Sequence, residues 1–232
     1  MNELVTIGAA ALGGILPALA WLWFWRREDS EHPEPRKLIA LAFIAGMVCV
    51  GVAIPIEKAV QPYLATQTLI FSAWSIIEEV LKFAFAYATV LRRREDDEPI
   101  DPVIYMVTVA LGFAAMENVL FLLSPLAGGT LIENVMTGNL RFVGATLLHV
   151  LSSAAIGAAM GFAFYKGKAA RIRAAVIGVI LASVLHVGFN FFILNTPETQ
   201  ILRTFTFVWV GVIVLLAVIE YIKRIHPRLR IR

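Results

Sequence analysis

The sequence predicts an all-α fold, a polytopic membrane helix bundle of about seven transmembrane helices, on three observations. The chain of 232 residues is 59% hydrophobic and only 16% charged, with a mean hydropathy of +0.78, too little polar surface for a soluble globule of this size. Its apolar residues are gathered into stretches of membrane-spanning length, which only helices explain here. Its Lys and Arg residues stand in short clusters beside those stretches. The net charge of +3 therefore reads as a topology signal, and nucleic acid is not an expected partner.

The stretches run over 4–25, 38–56, 69–91, 103–123, 142–165, 174–194 and 204–222. The first has no basic residue before it, is too long for a cleaved signal, and is followed by Arg26 and Arg27, so it is expected to remain as an anchor with the N-terminus outside. Trp21, Trp23 and Trp25 suit an aromatic belt at the inner interface. The second stretch holds Cys49, the lone cysteine, which forbids an intramolecular disulfide and reads as a packing residue. The connector over 124–140 contains Pro125, Gly128, Gly129 and Gly138. In the fifth stretch Ser153, Gly157 and Gly161 recur every four residues, a stripe that admits a close helix neighbour.

Sixteen basic residues fall on one side. They are Arg26, Arg27, Arg36 and Lys37, then Arg92 to Arg94, then Lys166, Lys168, Arg171 and Arg173, then Lys223, Arg224, Arg228, Arg230 and Arg232. The other side has Lys58, Arg141 and Arg203. The positive-inside rule then makes the C-terminus cytoplasmic. Residues 1–232 read as one integral membrane domain of the cell membrane, with no internal repeat.

Glu78, Glu79 and Lys82 lie in the middle of the third stretch, where each charge costs roughly 2.5 to 3.5 kcal/mol on insertion scales. Lys82 is one turn from both carboxylates and neutralises one of them. Glu117 and Asn118 in the fourth stretch, His149 in the fifth, and His186 and Asn190 in the sixth are further polar groups within spans. Counted from the outer end of each helix at 1.5 Å per residue, Glu79, Glu117, His149, His186 and Asn190 all lie roughly 6 to 15 Å deep. Helices of opposite direction thus bring these groups to one level, which implies a shared cavity in the outer half of the membrane. Two carboxylates and two imidazoles suit either a zinc-type metal site or water activation by a carboxylate with His and Asn steadying an oxyanion. The residues alone leave both open.

The segments Glu78 to Lys82 (EEVLK), Gly112 to Asn118 (GFAAMEN), His149 with Arg141 and Gly157 eight residues to either side, and Leu185 to Asn190 (LHVGFN) resemble, in order, those of the PrsW intramembrane proteases. That family is related to the CAAX prenyl endopeptidases. The acidic, proline-containing segment Glu28 to Pro35 also resembles the family's first cytoplasmic loop. The resemblance implies an endopeptidase in which Glu78 or Glu79 activates water, with Glu117, His149, His186 and Asn190 completing the site. It makes Glu78 the expected base. If a divalent metal such as zinc is used, Glu79, Glu117, His149 and His186 are its expected ligands. Asn190 stands where the family's segment often has Asp, which favours a hydrogen-bond donor there. The implied substrates are single-pass membrane proteins, such as an anti-sigma factor cut on the extracytoplasmic side. Buried Glu, Lys and His also make proton relays, so an ion- or proton-coupled transporter is the rival reading, although the repeated halves of transporters are not visible. A catalytically silent scaffold is a third.

Overall fold

The computed structural model describes the backbone of residues 3–29, 32–123, 131–195 and 201–226, and the side chains of 4–28, 32–123, 144–192 and 206–226. Among them the long elements are α1 (Glu3–Arg26), α2 (Arg36–Val60), α3 (Gln67–Thr89), α4 (Asp101–Leu123), α5 (Leu131–Phe162), α6 (Lys168–Asn195) and α7 (Ile201–Ile222). No strand occurs among the described residues. Five helices, α1, α2, α4, α5 and α6, are long and apolar enough to cross a membrane. Of the other two among the described residues, α3 carries Glu78, Glu79 and Lys82 at its centre, and α7 is apolar but shorter over its described side chains, Thr206–Ile222.

α4 is the axis of the bundle. From Asp101 to Ala115 every residue of it is buried, as expected of a helix that is apolar all round, and α1, α2 and α5 pack about it. Two of those contacts are backbone against backbone. At the α2–α4 crossing a Cβ on Gly46 would sit 2.0 Å from the Val109 carbonyl oxygen, and one on Gly112 would sit 1.9 Å from that of Phe43. Gly157 lets α5 approach Pro102 and Val103 in the same way. The exposed faces of α2, α6 and α7 carry Ile44, Val48, Val176, Ile180, Val184 and Ile213, apolar side chains left for lipid rather than water.

The end of the bundle between α3 and α4 is tied by polar contacts. Asp101 accepts the backbone N–H groups of Asp97 and Glu98 at 2.8 and 2.6 Å, and the Tyr105 hydroxyl donates to the buried Glu34. Arg171 at the start of α6 meets Asp96 at 3.3 Å, and Lys223 meets Glu28 at 2.9 Å. Burial raises the Asp96 carboxyl to about 7, with Asp101 and Asp97 adding to the effect and Arg171 opposing it.

Three expectations change. α5 begins at Leu131, so the predicted connector is already helical over 131–140, while 124–130 lies outside the described residues. Trp25 is 1% exposed and belongs to the core under Phe24, against which it packs edge-on at 5.3 Å; Trp23 alone of its cluster is strongly exposed. Ser153 is more than a packing residue, as the site below makes plain. Cys49 is fully buried, beside Val50, Ala53 and Phe113.

Candidate active site

α3 is amphipathic in reverse. Its buried residues are Ser75, Glu78, Glu79, Lys82 and Ala86, spaced to form one face, while Ile76 and Val80 point outward. A helix that turns its charged face inward must meet polar partners on its neighbours, and α4, α5 and α6 supply them.

Lys82 is wholly buried and holds the centre. Its Nζ donates to Glu79 at 2.9 Å and to Glu78 at 3.4 Å, lies 2.7 Å from His149 Nδ1, and sits 4.2 Å from the centroid of the Phe113 ring, a cation–π contact strengthened by exclusion of water. Glu79 is equally buried and is saturated. One oxygen faces both Lys82 and His186 Nδ1, each at 2.9 Å, and the other accepts the Ser153 hydroxyl at 2.8 Å. Glu78 is different: its carboxylate is 10% exposed, and its contacts to His149 and His186 are long, at 3.7 and 3.8 Å.

The imidazoles follow one pattern. His149 has Glu117 on Nε2 at 2.7 Å and turns Nδ1 toward Glu78. His186 has Glu79 on Nδ1 and turns Nε2 toward Glu78. The rings pack edge to face at 5.0 Å. A carboxylate on the far nitrogen orients an imidazole, the arrangement found behind metal-ligating histidines.

Donor atoms of Glu78, His149 and His186 lie within 4.8 Å of one another. Two imidazoles and one carboxylate match the three protein ligands of a catalytic zinc site, so the donor set fits a divalent metal. Loading His149 Nδ1 would require Lys82 to draw back from it. In this geometry Glu79 and Glu117 stand behind the imidazoles, whereas sequence reasoning had placed both among the ligands.

The sequence-predicted Glu78, Glu79, Glu117, His149 and His186 thus come together in one connected cluster. Asn190 stands one step away, donating to the Ser75 hydroxyl at 2.9 Å, which itself donates to the Phe71 carbonyl. Asn118 bridges to Thr146 at 3.3 Å. Sequence reasoning missed Ser75 and Ser153, whose hydroxyls look like ordinary helix-packing groups. It also missed Glu57, which shares a pocket of about 140 Å³ with Glu117 on the wall formed by Phe113. Glu57 lies one residue past the predicted second stretch, so it reads as solvated.

A buried carboxylate–imidazole cluster on four helices of a membrane bundle holds the kinds of group that a membrane-embedded hydrolase uses. Comparison with known proteins agrees. The family model described as PrsW family intramembrane metalloprotease matches residues 34–219. A protease PrsW of Geobacillus kaustophilus is 32% identical over 67% of this chain and 65% of its own length. One of Bacillus subtilis is 30% identical over 77% and 79%, and one of Oceanobacillus iheyensis 27% identical over 82% and 86%. No solved structure matches. The chain belongs to the PrsW family of intramembrane metalloproteases, and it is a multi-pass membrane protein of the intramembrane protease class.

Proposed function

We propose that the protein is an endopeptidase that cuts single-pass membrane proteins within the outer half of the bilayer, with Glu78 as the water-activating carboxylate. The reading rests on one observation: Glu79 is saturated by Lys82, His186 and Ser153, while Glu78 faces an oriented nitrogen of each histidine over more than 3.5 Å. A carboxylate held by three donors is a poor base, and one with long contacts keeps lone pairs free to accept a proton from a water. If a divalent cation such as zinc is used instead, Glu78, His149 and His186 would hold it, and the cation would supply the activation of water that Glu78 supplies without it.

The chain's own groups divide the remaining work. Glu78 takes a proton from the attacking water. Without a metal, His149, steadied by Glu117 on Nε2, hands a proton to the leaving amine once Lys82 draws back from its Nδ1. Glu117, with 40% of its side chain exposed, connects that imidazole to the outside. Lys82 and Glu79 neutralise each other in a dry interior and keep Glu78 and the two rings in place.

The same reading takes all seven helices across the membrane, N-terminus outside and C-terminus cytoplasmic, on the charge bias of the loops. It takes a membrane-bound anti-sigma factor as a representative substrate, as the family resemblance implies. The test is purified protein in proteoliposomes with a single-pass substrate, with and without a chelator, beside Glu78→Gln. Cleavage that Glu78→Gln abolishes is expected. No cleavage, together with proton flux across the vesicle wall, would favour a proton-coupled carrier instead.

A further inference from the structure

A large cavity among the described residues lies away from this site. It is an apolar groove of about 1060 Å³ floored by α5 and walled by α6 and α7. Leu151, Ala155 and Ala159 of α5 form its floor, and Val184, Gly188 and Val214 are among its walls. His149, Ser153, His186 and Asn190 turn to the opposite faces of α5 and α6, so the groove does not open on Glu78. From Leu148 to Phe162 it runs about 21 Å along α5, and it ends at Lys166 just beyond that helix.

One end is cationic. Lys166 and Arg173 line the groove where α5 gives way to α6. Both are exposed, and among the described residues neither has an ion-pair partner. This is the end that the charge bias assigns to the cytoplasm.

We propose that the groove binds an anionic phospholipid of the inner leaflet, with its phosphate between Lys166 and Arg173 and its acyl chains along α5. Basic pockets between transmembrane helices on the cytoplasmic side suit anionic headgroups. A substrate helix seated there would present its scissile bond to the wrong face of α5 and α6. A second copy related by a parallel two-fold axis would bring two basic ends together.

Native mass spectrometry of the full chain, released from vesicles of equal phosphatidylglycerol and phosphatidylcholine, tests this. One retained phosphatidylglycerol per chain is expected. Lys166→Gln or Arg173→Gln should each weaken retention about fivefold, and the double variant about 30-fold. Ala155→Phe should also lower it by filling the space of the tails, while Arg93→Gln/Arg94→Gln, basic positions outside the groove, should leave it unchanged. Equal retention of phosphatidylcholine, full retention by the Lys166/Arg173 double variant, or equal loss in the Arg93/Arg94 control would overturn the proposal. So would displacement by inorganic phosphate alone, or a dimer that Ala155→Phe dissociates. Both glutamine positions are exposed, so the double variant decides the matter even where Ala155→Phe fails to fold.

Discussion

Glu78 and Glu79 are neighbours in the chain with opposite situations in the fold, and their glutamine variants should fail for different reasons. Glu78→Gln removes the carboxylate that faces both histidines and should abolish turnover with little loss of folded protein. Glu79→Gln leaves the wholly buried Lys82 without its best partner. Breaking a buried pair on one side costs roughly 3 to 5 kcal/mol, so Glu79→Gln should show a markedly lower unfolding temperature in detergent. Equal stability of the two variants would count against the assignment. Asn190 is the second residue-level case. Loss of an oxyanion donor lowers rate about 100- to 1000-fold, whereas an interhelical hydrogen bond is worth about 0.6 kcal/mol. With its amide engaged by Ser75, Asn190→Ala should resemble Ser75→Ala in single-turnover cleavage, each with a modest effect. A hundredfold loss confined to Asn190→Ala would restore the oxyanion role.

Elements here are held by glycines at crossings and by charge at one end. Gly46→Ala and Gly112→Ala would each drive a Cβ to within about 2 Å of a carbonyl oxygen and should separate α2 from α4, seen as early unfolding and protease cleavage. Gly51→Ala, with nothing within 4 Å of its added Cβ, should be neutral or stabilising by up to about 1 kcal/mol. The segment joining α3 to α4 has its own pH response. The Asp96 carboxyl is raised from 3.8 to about 7 in the folded state, so the fold binds this proton more tightly than the unfolded chain does. Its stabilising effect is complete below pH 3.8 and is lost as pH rises through about 7. Asp96→Asn should flatten that part of the unfolding-midpoint profile. A slope over pH 4 to 7 identical in wild type and variant would exclude Asp96 as its source.

The whole molecule sets the direction in which the site opens. On the proposed topology, with all seven helices crossing in alternation, the α2–α3 connection and the α5–α6 connection lie on opposite sides. Tyr63→Cys, at an exposed position in the former, should react with an impermeant reagent from outside, and Gly167→Cys only after the membrane is breached. Cys49 is fully buried and should stay silent. Labelling of both introduced cysteines from outside would break the alternation, and labelling of Gly167→Cys alone would reverse the topology and, with it, the side of cleavage.

Much of this was legible in the one-dimensional pattern. Hydropathy fixes where helices form because unpaired backbone is intolerable in lipid, and ionisable groups at matched depth in helices of opposite direction mark one cavity. The EEVLK, GFAAMEN and LHVGFN segments carry the family. Which carboxylate is saturated was not legible, because Lys82 reaches i−3 and i−4 alike from the sequence. Only the tertiary structure separates them, through Ser153 and His186, which are 74 and 107 residues from Glu79 and belong to other helices. The same holds for Asn190, which the pattern aims at the cavity and Ser75 engages, for Trp25, whose place in the core depends on how α1 lies on its neighbours, and for Glu57, whose pocket exists only where α2 meets α4. Periodicity states which face of a helix a residue occupies; what stands opposite that face is set by how the helices pack.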